Sequence, residues 1–247
     1  STLSPSSAAS DVYKRQDNVW IGLDMVDWYT ETKEMRYLTQ AKVVWRYLID
    51  HGWDETCGGG VHWRELNEHT TSKHSCSTGP TAVMGCKMYL ATQEQEYLDW
   101  AIKCYDYMLD VLQDKSDHLF YDNVRPNKDD PNLPGDLEKN KYSYNSGQPL
   151  QAACLLYKIT GEQKYLDEAE KTEQQIAELE ERLRTIRAAQ KKEEDSEIIR
   201  AIRSTKMGGR ELLALLDNIQ AGNVTFLTAV NNASEEAETE EAIEKDA

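Results

Sequence analysis

Three stretches, YTETKEMRYLTQA (29–41), YLATQEQEYLDWA (89–101) and YKITGEQKYLDEA (157–169), decide the fold. Tyr29, Thr32, Glu34, Tyr37, Leu38 and Ala41 recur at the same internal spacing as Tyr89, Thr92, Glu94, Tyr97, Leu98 and Ala101, and again as Tyr157, Thr160, Glu162, Tyr165, Leu166 and Ala169. The copies lie 60 and 68 residues apart, so a structural unit recurs rather than a chance motif. Each copy joins an apolar helix to an amphipathic one across a short polar turn. The first helices are expected at about Val19–Tyr29, Thr81–Leu90 and Pro149–Tyr157, apolar nearly all round and therefore buried. The second are expected at about Met35–Asp50, Glu96–Leu112 and from Gln163 onward. They carry a one-sided stripe such as Tyr37, Leu38, Ala41, Val44, Trp45 and Leu48. An inner helix followed by an outer one, repeated, is what a ring of helical hairpins requires. The chain reads as all-α, with about three hairpins of such a ring.

The composition changes near residue 170. All six tryptophans and all thirteen tyrosines lie at or before Tyr165, and Phe226 is the only aromatic residue after it. The division is 1–16, a disordered leader; 17–170, the hairpin segment; 171–230, a helical and coiled-coil segment; and 231–247, a disordered acidic tail. The leader, STLSPSSAASDVYKRQ, is Ser-rich, without periodicity, and resembles a translated sequencing adapter. Beyond it, Ile176, Leu179, Leu183 and Ile186 make about two heptads amid charge, so helix pairing is expected through 172–190. Glu197–Arg203 and Glu211–Ile219 read as two short helices separated at Gly208-Gly209.

The formal net charge of −16 repels nucleic-acid phosphates and excludes a nucleic-acid partner. A neutral sugar is compatible with it. No apolar run approaches the ~20 residues of a membrane span, and no signal peptide is legible. Cys57, Cys76, Cys86, Cys104 and Cys154 form no C-x-x-C pair and read as small buried thiols. The histidines, His51, His62, His69, His74 and His118, include no H-x-x-x-H pair, so no metal is expected. No phosphate-binding loop or nucleophile elbow is present, and no cofactor is expected.

In a hairpin ring all inner helices start at one end, so the residues just before them converge on one mouth. Three segments qualify: Gln16-Asp17-Asn18-Val19-Trp20, Ser75–Pro80, and Tyr142 to Gln148 with Tyr144 and Asn145 among them. Asp17, Ser77 and Ser146 equally suit helix N-caps. A fourth loop, from Gly52 to Trp63, holds Trp53, Gly58, Gly59, Gly60, His62 and Trp63. Consecutive glycines allow close backbone approach or a tight bend. Tryptophan faces beside hydrogen-bonding groups suit the apolar faces and polar edges of sugar rings. A glycine turn pinned by two core tryptophans explains the same residues.

Taken together, DNVWIGLDMVDWY, HGWDETCGGGVHW, YLDWAIKCYDYM and YSYNSGQPLQAACLLYKITGEQKYLDEA resemble glycoside hydrolase family seventy-six, the endo-α-1,6-mannanases built as an (α/α)6 barrel. The resemblance implies retaining hydrolysis of α-mannan or manno-oligosaccharides by two consecutive aspartates, a nucleophile and then an acid/base, as two carboxylates flanking a glycosidic bond require. Asp17 fits the acid/base position. Gln16 occupies the nucleophile position, where a carboxamide cannot serve. Trp20, Trp53, Gly58, Gly59, Gly60, Trp63, Tyr144 and Asn145 are expected to line the sugar path. Family members are exported or held in the cell envelope, which is an expectation for this chain too. Six hairpins need roughly twice the length of residues 17–170. The segment thus covers about half a ring, which predicts exposed apolar surface, aggregation or partial folding, and no turnover by this chain alone. Two alternatives stand: another sugar-active (α/α) barrel, an epimerase or unsaturated-uronide hydrolase using His62 and His74, or a non-catalytic helical interaction protein. EIIRAIRSTKM and RELLALL resemble short helical proteins of bacterial mobile elements, from which no activity follows.

Overall fold

A computed structural model of the protein describes residues 15–64, 72–129, 135–205 and 207–222. His69, most of the Ser-rich leader and the acidic tail lie outside them. Seven α-helices are described: α1 (Arg15–Thr32), α2 (Met35–Ile49), α3 (Ser75–Thr92), α4 (Gln95–Tyr107), α5 (Ser143–Thr160), α6 (Gln163–Ser204) and α7 (Gly209–Gln220). α4 continues as a π-helical turn, Met108–Leu112. The chain divides into two compact units, 1–180 and 181–247.

The repeat seen in the sequence is a turn with a physical function. Lys33, Gln93 and Gly161 adopt the left-handed conformation, with φ of 59°, 61° and 71°. Their N–H groups donate to the carbonyls of Tyr29, Tyr89 and Tyr157, each at 2.8 Å, closing the inner helices. The hydroxyls of Thr32, Thr92 and Thr160 then accept from the N–H of Glu34, Glu94 and Glu162 at 3.1–3.2 Å. The amides of Tyr37, Tyr97 and Tyr165 donate back to those glutamate carbonyls and start the outer helices. Tyr, Thr, Glu and Tyr are thus the parts of one αα-hairpin turn, made three times.

Inner helix α3 lies between α1 and α5, while α2 packs on α1 and α4 on α3. Leu38, Ala41, Trp45 and Leu48 of the expected α2 stripe are buried, and Val44 packs partly buried against them. Tyr165 and Ala169 of α6 join the same core as Ala152 and Leu156. Glu168 lies 2.8 Å from His118 Nδ1 and accepts from Gln113 Nε2 at 2.5 Å, fixing the start of α6 to the loop after α4.

Five expectations need correction. Only α3 is buried nearly all round; α1 and α5 bury one side and expose the other, because each has an inner neighbour on one flank only among the described residues. The inner helices begin earlier than Pro80, Pro149 and Val19 suggest. An interior proline forfeits a hydrogen bond at a cost of ~3 kcal/mol, yet Ser75–Thr81 is buried throughout and Pro149 is buried in α5, so tertiary packing carries the helix through. Asp17, Ser77 and Ser146 consequently lie inside helices rather than at N-caps, which for α3 and α5 are His74 and Tyr142, neither making a side-chain cap. Arg15 and Gln16, assigned above to the leader, open α1. Of the cysteines, Cys154 is exposed and Cys57 half-buried, whereas Cys76, Cys86 and Cys104 are buried.

A small antiparallel sheet, not anticipated from the sequence, lies beside the helix starts: β1 (Lys73–His74), β2 (Asn123–Arg125) and β3 (Asp136–Glu138), in the order β1-β2-β3. Strands of two or three residues are too short to show a period of two.

In the second unit, α6 runs without interruption to Ser204, and α7 buries none of its residues. Leu179, Leu183 and Ile186 of the heptad stripe are exposed.

Candidate functional site

The early helix starts bring the mouth together. Arg15, almost wholly buried, donates its backbone N–H to the Trp63 carbonyl at 2.8 Å, and its guanidinium donates to the carbonyls of His51 (2.6 Å) and Arg64. This fastens the end of the glycine loop to the first turn of α1. One residue on, Gln16 Oε1 accepts from Trp63 Nε1 at 2.9 Å and lies 3.5 Å from Cys76 Sγ on α3. His74 stacks on Trp63 with ring centroids 5.3 Å apart, its Nε2 2.9 Å from Ser72 Oγ.

The third inner helix contributes Asn145, buried, whose Nδ2 donates to Asp122 Oδ1 at 3.2 Å. Asp122 also accepts from Asn123 Nδ2 at 2.8 Å. The Ser75 amide donates to the Asp122 carbonyl at 3.0 Å, and Ser75 Oγ to that of Tyr121 at 2.5 Å, so the strap leading into β2 is tied to the start of α3. Tyr144 stacks on Tyr142, centroids 5.4 Å apart, at the exposed rim.

Electrostatics place these groups in one field. Burial, then the carboxylate of Asp122 and, more weakly, that of Asp17, push the Cys76 thiol up to about 12, so it stays protonated. Burial lowers His74 to about 4, against the opposing pull of Asp122, so its imidazole is neutral near pH 7. Asp122 thus acts on both a neutral thiol and a neutral imidazole, and Asp17 on the thiol. Asp122 is the residue the sequence reading missed; its only local signal is an acid directly after Phe120 and Tyr121.

Beneath the glycine loop lies a second cluster. Lys73, fully buried, donates to Asp54 Oδ1 (2.7 Å) and to the Gly60 carbonyl (3.0 Å), and its Nζ lies 2.9 Å from His62 Nε2. His62 Nε2 is 2.8 Å from Asp54 Oδ2. Burial disfavours the Asp54 carboxylate, but Lys73 and His62, bonded to it, hold its pKa well below the usual range. Burial, and then Lys73, lower that of His62.

Gln16, Trp63 and Asn145 are therefore drawn into the mouth, with Asp17 on the first turn of α1 and Trp20 and Tyr144 exposed on the two flanking helices. Trp53 and the glycines are engaged elsewhere. Trp53 packs edge-on against Trp100 (5.4 Å) and Tyr107 (5.8 Å) of α4 and donates Nε1 to Glu55. Gly58, Gly59 and Gly60 have φ of 82°, 122° and 87°. A Cβ on Gly59 would stand 2.5 Å from Trp53 Cζ2, and one on Gly60 2.5 Å from Tyr107 Cε1. Backbone conformation and close approach both demand glycine. Gly60→Ala is expected to destabilise the protein by about 2 kcal/mol, read as a lower urea midpoint; an unchanged midpoint would show that the loop does not need this conformation. Among the described residues no cluster of three metal-ligating side chains occurs, and no helix is long and apolar enough to cross a membrane.

The profile of Glycosyl hydrolase family 76 matches residues 3–185. The chain belongs to that family. Residues 163–241 also match a domain of unknown function, DUF4315, so the two matches overlap on the first part of α6. Among solved structures, the family 76 mannosidase Bt3792 of Bacteroides thetaiotaomicron is 95% identical with a TM-score of 0.63, over 65% of this chain and 43% of that one. An α-1,6-mannanase of Salegentibacter, solved as an inactive variant with two consecutive aspartates changed to asparagine and in complex with α-1,6-mannotriose, is 30% identical with a TM-score of 0.61, over 66% and 47%. A mannan endo-1,6-α-mannosidase of Candida glabrata is 34% identical over 130 residues, 51% of this chain and 28% of that protein. The chain thus spans less than half the length of these relatives, and its three hairpins match part of their (α/α)6 fold.

Proposed function

We propose that this chain recognises α-1,6-linked mannose at the mouth formed by α1, α3 and α5, and does not hydrolyse it. The observation that carries this reading is the pair Gln16-Asp17 on the first turn of α1, beside Trp63 and opposite Asp122. Retaining hydrolysis needs a carboxylate nucleophile and a second carboxyl as acid/base. Asp17 supplies the acid/base; Gln16 offers a carboxamide already committed to Trp63 Nε1. The Salegentibacter relative, with amides at two consecutive aspartates, is inactive and holds mannotriose, the behaviour expected here of a chain with one amide. Trp63, stacked by His74 and with the Arg64 guanidinium over its ring, sits at the mouth; Tyr144 offers an aromatic plate at the rim, and Asp122 and Asn145 the polar edge. An epimerase using His62 and His74 is disfavoured, because His62 is buried and engaged by Asp54 and Lys73, so that of the two His74 alone lies at the mouth.

Titration with α-1,6-mannotriose tests the reading. Binding is expected to perturb the Trp63 indole resonance, to weaken about tenfold in Trp63→Ala, in line with an aromatic hot spot of ~1.4 kcal/mol, and to release no reducing sugar. Absence of binding, or turnover by the unaltered chain, would refute it. Along α6, the exposed Leu179, Leu183 and Ile186 favour helix pairing through 172–190, and helicity of a 171–230 peptide is expected to rise with concentration.

A further inference from the structure

Asp122 reaches the mouth on a short strap, and the near end of that strap is held by a helix outside the mouth. The Asp122 carboxylate is gripped by two neutral amides, Asn145 at 3.2 Å and Asn123 at 2.8 Å. Where it stands therefore depends on the backbone that carries it. That backbone is tied to three helices. Ser75 of α3 donates to the carbonyls of Asp122 and Tyr121. Ser146 Oγ of α5 accepts from the Phe120 amide at 3.3 Å. α6 takes hold of His118 and Gln113.

The α6 contact is built from enclosed polar groups. Glu168 Oε1 accepts from Gln113 Nε2 and lies 2.8 Å from His118 Nδ1, and its side chain is only 15% exposed. Burial disfavours the Glu168 carboxylate, yet its pKa is lowered, because Gln113 and then His118 bond to it. It is thus ionised near pH 7, and His118 Nδ1 carries the hydrogen between them. One turn along α6, the buried Thr172 hydroxyl shares its proton between the carbonyls of Glu168 (3.0 Å) and His118 (3.3 Å). His118 has φ of 58°, a left-handed conformation that is costly for a residue with a Cβ. Its ring and its carbonyl are both engaged by α6, which holds it there. Between His118 and Asp122 the strap has no slack. Leu119 and Phe120 are buried, the Asp114 amide donates to the Leu119 carbonyl, and the Tyr121 amide donates to that of Leu112, each at 2.8 Å. A displacement of His118 is carried to Asp122 rather than absorbed on the way.

We propose that Glu168 and His118 are positioning residues of the mouth: α6 fixes the strap at His118 and thereby sets where the Asp122 carboxylate stands. Both act through Asp122 and not on a ligand. The proposal rests on the reading of the mouth given above for what Asp122 does, but the place of Asp122 is measured without sugar.

Nuclear magnetic resonance of the whole chain tests it. In Glu168→Ala, the Asn145 side-chain amide, which donates to Asp122, is expected to shift, and exchange of the Ser75 amide to quicken about tenfold. The His62 amide, bonded to the Gly52 carbonyl in the glycine loop, should keep its rate. Glu168→Gln retains an acceptor oxygen and should restore both signals. His118→Gly keeps the left-handed turn without the ring and should behave as Glu168→Ala does. Lys171→Met removes only the 3.4 Å contact to Oε2 and should change neither signal. Affinity for α-1,6-mannotriose should fall about fivefold in Glu168→Ala. Wild-type signals from Asn145 and Ser75 in Glu168→Ala would overturn the proposal. So would equal quickening at His62, which marks general destabilisation, or failure of Glu168→Gln to restore them. A wild-type chain that does not bind mannotriose, with the Glu168→Ala signals moving as expected, would refute the sugar reading and uphold the positioning of Asp122.

Discussion

Asp54→Ala is expected to destabilise the hairpin unit by about 3–5 kcal/mol, and Lys73→Met by less than about 2 kcal/mol, although the two residues form one ion pair. The asymmetry comes from burial. The Lys73 side chain is fully enclosed, whereas that of Asp54 is 39% exposed. Removing the Asp54 side chain strands an ammonium in the interior with no counter-charge bonded to it, held by the Gly60 carbonyl, His62 and the residue-54 carbonyl at 3.4 Å. Removing Lys73 leaves a carboxylate that water can reach and that still accepts from the Thr56 amide at 2.9 Å, while the methionine fills the space with apolar atoms. The loop from Trp53 to Trp63 should loosen in Asp54→Ala, and Gln16 would lose its hold on Trp63. Urea unfolding followed by tryptophan fluorescence measures both variants. Equal costs, or a larger cost for Lys73→Met, would mean that the lysine charge is not what the cluster confines.

Stability should also fall on acidification in two stages. His74, lowered to about 4, and His62, lowered by burial and by Lys73, bind protons in the unfolded chain near pH 6.5 but stay neutral when folded. A depressed folded pKa contributes stability that is present above the unfolded value and is lost as pH falls toward the folded one. The first loss therefore runs from about pH 6.5 to 4, and at 1.36 kcal/mol per pKa unit the His74 share approaches ~3 kcal/mol. Asp54, also depressed, adds a second loss below about pH 4, the unfolded carboxylate range. His74→Asn should remove the His74 share of the first stage, keep the His62 share and leave the second stage. Stability that is level between pH 7 and 4.5 in the wild type would refute the assignment.

The hairpins were legible in the sequence because their turn is local. Tyr, Thr, Glu and Tyr interact within nine residues, through one left-handed residue and a threonine hydroxyl, so the same letters must recur wherever the same turn is built. The outer stripe of α2 was legible for a similar reason, since one face of one helix meets one neighbour. The helical character of residues after Gln163 was legible too, and it runs unbroken to Ser204. The helix starts lie earlier than the apolar pattern indicates, because the start of α3, Ser75–Thr81, is polar and small yet buried by tertiary packing.

Other features were set between segments far apart in the chain. Asp122 reaches the mouth through a three-stranded sheet whose strands are too short to pattern, pinned by Ser75 from 47 residues earlier. The edge-on packing of Trp53 was set by Trp100 and Tyr107, and the burial of Lys73 was matched by Asp54 and Gly60. Nor did apolarity alone tell which inner helix is enclosed: α1, α3 and α5 all carry apolar residues, but among the described residues only α3 has inner neighbours on both flanks. Local hydrogen bonding wrote the repeat into the sequence; burial and charge pairing, which depend on what the fold brings alongside, were decided by tertiary structure.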